Sequence, residues 1–148
     1  MWTPEKSAKL SLILTDIIFL LSIVIGIFLP FLAGRYIEIT GKAESIKAVL
    51  ITVCYCCLPF AVILLLTLRR LLKNILQSKA FIYKNVKLLH ILSWCCVAVA
   101  LITLISGYFY LPFYIVGTAA GFFALILRVI KNIFCTAIEI KNENELTI

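Results

Sequence analysis

From Ile91 to Leu127 the chain runs 37 residues without a charged side chain, and Gly107-Tyr108-Phe109-Tyr110-Leu111-Pro112 divides that run near its middle. As one helix it would reach about 55 Å at roughly 1.5 Å per residue, against about 30 Å for the hydrocarbon core of a bilayer. The run therefore predicts two membrane-crossing helices joined by a tight hairpin. The chain reads as an all-α integral membrane protein.

The rest of the sequence repeats the pattern. Leu10 to Ala33 forms a first span interrupted only by Asp16, and Ala48 to Leu68 a second with no charge. The third covers about 88–108 and the fourth about 112–131. Each is close to the ~20 residues that a spanning helix requires. Pro59 falls inside the second span and predicts a kink there. The first apolar run exceeds the roughly 7–15 residues of a signal-peptide core, so it is expected to stay as a helix. The 148 residues are expected to form one four-helix transmembrane bundle, with no separate soluble domain.

Charge placement orients the spans. Four crossings put both termini and the segment 69–87 on one side. Eleven of the 14 Lys and Arg fall there, and Arg35, Lys42 and Lys47 on the other. The positive-inside rule predicts both ends and the segment 69–87 in the cytoplasm, with the protein multi-pass in its membrane. The net charge of +7 thus points to lipid contact and orientation, and direct nucleic-acid binding is not expected.

Segment 69–87 holds Arg69, Arg70, Lys73, Lys79, Lys84 and Lys87 and no acidic residue. Leu68, Leu71, Leu72, Ile75 and Leu76 recur at helical spacing, so the second span is expected to continue as a short amphipathic helix. Two readings of this basic loop stay open: lipid attachment to the inner leaflet, and a docking platform for a cytoplasmic partner. The tail 139–148 carries Glu139, Glu143 and Glu145 on the same side, and its charge complements the loop.

Inside the membrane three features stand out. Gly117, Gly121, Ala124, Arg128 and Lys131 follow steps of four and three and share one helix face, a small-residue stripe for close packing. That stripe could pack internally or join two copies in a homodimer. Asp16 lies at about the depth of Arg128, and an unpaired carboxylate there would be costly, so a pair with Arg128 or Lys131 is expected. A proton or ion relay through Asp16, as in small four-helix exporters, is the alternative.

The six cysteines include a Cys54-x-x-Cys57 pair, which admits a membrane thiol oxidoreductase. They sit in apolar spans, however, where thiols act as small packing groups. His90 lacks a companion at metal-ligand spacing. No catalytic residue, metal or cofactor is expected.

Two segments carry a resemblance. Leu72-Lys73-Asn74-Ile75-Leu76 followed by Ala80-Phe81-Ile82-Tyr83-Lys84-Asn85-Val86-Lys87-Leu88-Leu89, and the ending Glu139 to Ile148, resemble the bacterial membrane family labelled domain of unknown function 2975. The resemblance covers the four-span layout and implies no established enzyme activity. It also implies a frequent genetic neighbour, a very small helix-turn-helix regulator of the Xre/Cro type. Candidate docking positions toward a partner or lipid are Arg69, Arg70, Lys73, Lys79, Phe81, Asn85, Glu143 and Glu145. Two function classes follow: a non-enzymatic membrane regulator or scaffold binding such a regulator, and a small transporter or immunity-type protein working through Asp16 and Arg128.

Overall fold

The computed structural model describes residues 4–77 and 82–146, and among them the chain is entirely helix and short connections. Helix α1 spans Pro4–Thr40, α2 Glu44–Leu76, α3 Tyr83–Ser106 and α4 Pro112–Leu146. All four are long and apolar enough to cross a membrane. Three outrun their apolar spans. At about 1.5 Å per residue, 33 to 37 residues reach roughly 50–55 Å, so α1, α2 and α4 carry about 20 Å beyond a bilayer core.

The extra length changes the basic segment most. Arg69, Arg70 and Lys73 belong to α2, and α3 begins at Tyr83, so only residues 77–82 connect the two helices. The expected continuation of the second span is present. The 19-residue loop 69–87 is not; most of it is helix end. The acidic tail is likewise the end of α4 as far as Leu146.

The helices form a row. α1 packs on α2, α2 on α3 and α3 on α4, while the backbones of α1 and α4 stay apart. At the end away from the α2–α3 connection, Gly41 reverses the chain with φ of +62°, a left-handed conformation suited to glycine.

Proline is handled locally. Pro30 lies inside α1 and cannot donate to the carbonyl four residues back, which belongs to Gly26. The Tyr55 hydroxyl of α2 donates to that same carbonyl at 3.1 Å. The bond ties α2 to α1 at the carbonyl that the proline leaves unpaired. Helix α2 runs on through its own Pro59.

The α3–α4 contact is the closest. A Cβ on Gly117 would stand 2.6 Å from Leu104 Cγ, whereas one on Gly121 meets nothing nearer than Ala100 Cβ at 3.9 Å. Ala124 is buried, and its carbonyl accepts from Ser93 Oγ at 3.1 Å. The small-residue stripe therefore packs inside the chain, against α3.

Candidate functional site

The basic ends of α2, α3 and α4 make a small folded head. Leu71 of α2 and Leu88, Leu89 and Leu92 of α3 are buried together, and Leu127, Ile130 and Phe134 of α4 pack against them. The helical leucine spacing in 68–76 turns one face of α2 inward, which holds its basic residues at the surface. Arg70, Lys73, Lys84 and Lys87 are all exposed.

Asn85 is a different case. It is fully buried, and its Oδ1 accepts from Asn74 Nδ2 at 2.7 Å. Its backbone N–H also bonds Ile82 at 2.9 Å in the first turn of α3. The expected docking position is thus an internal clasp between α2 and α3. Sequence spacing missed this because an Asn beside basic residues reads as surface. Lys79 and Phe81 lie outside the described residues.

The Asp16 pairing also differs from expectation. Asp16 engages Arg69, with Nε to Oδ1 at 2.7 Å and Nη2 to Oδ2 at 3.2 Å. Arg128 and Lys131 are on α4, at the far end of the row from α1, and neither reaches it. The physical reason is topological: α1 packs on α2, and Arg69 is the first charge of α2 at that depth. Both side chains are only half-covered. Asp16→Asn and Arg69→Gln are each expected to cost about 1 kcal/mol in detergent, with the double change costing less than the sum. Asp16→Asn with Arg128→Gln should be additive, and coupling there instead would contradict the geometry.

α4 continues past the head with two apolar faces. Phe134 and Ile138 turn inward, and Ile138 is 3% exposed. On the other side Val129, Ile133 and Ile140 are 58%, 60% and 53% exposed and border a shallow groove of about 450 Å³ with Asn132 and Thr136. At the far end Glu145 pairs with Lys141 of its own helix at 3.7 Å. Glu143 is exposed on the same helix.

Between α1 and α4 lies a second cavity of about 550 Å³, wholly apolar and touched by all four helices, with Ile18, Leu65, Leu92 and Phe123 among its walls. Cys96 lines it as well, and no cysteine among the described residues is bonded to another. No cluster there or elsewhere among the described residues has three metal-ligating side chains.

The opposite end holds a tie that sequence reasoning missed. The hydroxyls of Tyr36 and Tyr110 share a hydrogen bond, and Lys42 Nζ donates to both at 3.3 and 3.2 Å. The lysine also lies 4.5 Å from the Tyr110 ring centre. Hydrogen bonding to Tyr110, then to Tyr36, raises the Lys42 ammonium above its ordinary range. The contact therefore contributes fully at neutral pH and weakens only above pH 10.5. It joins the α1–α2 and α3–α4 hairpins. Tyr36 and Tyr110 stand 74 residues apart, so no spacing rule pairs them.

The family model described as "Protein of unknown function (DUF2975)" matches residues 33–148. The chain belongs to that family. The match takes in the end of α1 and all of α2, α3 and α4, so the basic head lies inside it and Asp16 outside. No curated protein and no solved structure matches the chain.

Proposed function

We propose that this DUF2975 member is a non-enzymatic membrane regulator or scaffold whose basic end faces the cytoplasm and binds a small soluble protein. A helix-turn-helix transcription regulator is the partner class that the family resemblance suggests. Support for the orientation is the placement of eleven Lys and Arg at that end against three at the other. The same reading places the protein in the bacterial plasma membrane as a multi-pass protein.

The observation that carries the docking role is the second apolar face of α4. Ile133 and Ile140 lie beyond the charge-free span, more than half exposed, on a helix whose other face is already packed. An isoleucine left in water forgoes roughly 1.5–3 kcal/mol of burial, which a partner helix could recover. Exposed lysines and arginines on α2 and α3 would steer an acidic partner toward the head, with a rate that falls as salt rises.

The test is co-purification of a small helix-turn-helix protein encoded alongside. Recovery is expected with the natural chain and at least tenfold lower with Ile133→Glu/Ile140→Glu, since two lost anchors exceed the roughly 1.4 kcal/mol of a tenfold change. Equal recovery would remove the α4 face from the account. No recovery from either would favour a second reading, a small transporter or immunity-type protein, for which the apolar cavity between α1 and α4 is the supporting feature.

A further inference from the structure

Where α3 and α4 leave the apolar region, a recess of about 420 Å³ is lined by Val86, Lys87, His90 and Ile91 of α3 and Lys131 of α4. We propose that this recess seats the phosphate headgroup of an anionic phospholipid. Lys87 and Lys131 supply the charge, and His90 supplies a ring N–H donor. The site is separate from the apolar face of α4 and does not depend on the docking role.

Electrostatics is the first argument. Two ammonium groups from different helices converge on one recess, and among the described residues neither has a carboxylate partner. Arg128 lies one turn from Lys131 on α4 and adds to the same positive field. Like charges held together repel, so a bound anion stabilises the arrangement more than water does.

Histidine geometry is the second. Trp94 Nε1 donates to His90 Nε2 at 3.0 Å, which places the proton of a neutral imidazole on Nδ1 and leaves that nitrogen as a donor. The two rings meet edge to face. Trp94 is about half exposed one turn deeper, where an indole suits the boundary between headgroups and acyl chains.

Depth decides the class of anion. Lys87 is the last charge on α3 before the 37-residue run without any, and Val86 and Ile91 give the recess an apolar rim. A phosphate held there continues into a glycerol backbone and acyl chains, not into water.

Trp94 is a built-in reporter, because Trp2 is the only other tryptophan. In the Trp2→Phe background, reconstituted into phosphatidylcholine vesicles, brominated phosphatidylglycerol present as a minority lipid should quench Trp94 well beyond the same amount of brominated phosphatidylcholine. Two lysines at roughly fivefold each give about a 25-fold local preference. Lys87→Gln/Lys131→Gln should abolish it, Lys87→Arg/Lys131→Arg should keep it, and Lys84→Gln/Lys141→Gln, with the same net charge as the first, should leave it. Helix content by circular dichroism confirms that each variant is folded. No preference in the parent, or equal loss in both glutamine doubles, would overturn the site. Removal of the preference by excess inorganic phosphate would overturn the lipid assignment, since the recess would then take soluble anions.

Discussion

Gly117→Ala is expected to destabilise the protein by about 1–3 kcal/mol, while Gly121→Ala one turn later should change stability by less than about 0.5 kcal/mol. The difference comes from what each new methyl would meet. At 117 it would lie 2.6 Å from Leu104 Cγ and 3.0 Å from Thr103 Oγ1, and the latter is already bonded to Val99. Leu104 would have to change rotamer or α4 move off α3. At 121 the nearest atom is at an ordinary contact distance of 3.9 Å. Thermal unfolding in detergent separates the two. Similar losses would mean that the close α3–α4 approach does not set the stability of the pair.

Asn85→Ala should cost about 2–4 kcal/mol, from a cavity in a fully enclosed site and a lost hydrogen bond. Asn74 keeps water or lipid access when Asn85 is gone, since it is only half-buried. Asn74→Ala should therefore cost less, about 1 kcal/mol, although it removes the same 2.7 Å bond. Asn85→Asp retains the acceptor but encloses a charge, and should be no milder than alanine. Amide hydrogen exchange at the end of α2 and in the first turn of α3 gives a second readout, because loosening the clasp frees both helix ends. An Asn85→Ala variant as stable and as protected from exchange as the natural chain would show that the head does not rest on this clasp.

Much of the architecture was legible from residue type alone. The charge-free run from Ile91 to Leu127, broken at Gly107 to Pro112, could only be two helices and a hairpin. Helical leucine spacing after Leu68 gave the continuation of α2, and small-residue spacing gave the α4 face that meets α3.

What stayed hidden depended on which helices are neighbours. Hydropathy fixes how many spans exist, not their order in space. Asp16 could equally have met Arg128 or Arg69 until α1 and α4 were seen at opposite ends of a row. Asn85 was misread for the same reason: its burial follows from Asn74 across the hairpin, 11 residues earlier. The helical extent of the tail was invisible because its polar residues carry no membrane signal, yet α4 continues through them without a break. Lys42 and Tyr110 meet across 68 residues, a separation that no local pattern encodes.

The central claim is that the basic end of the helices is a cytoplasmic docking head centred on α4. It is tested most directly by placing a photo-crosslinking amino acid at Ile140, and separately at Phe123 on the wall of the apolar cavity, and irradiating intact cells. The account predicts a discrete adduct with a soluble cytoplasmic protein from position 140 and none from position 123. Adducts from position 140 only to lipid, to a second copy of the chain or to proteins of the opposite compartment would contradict it.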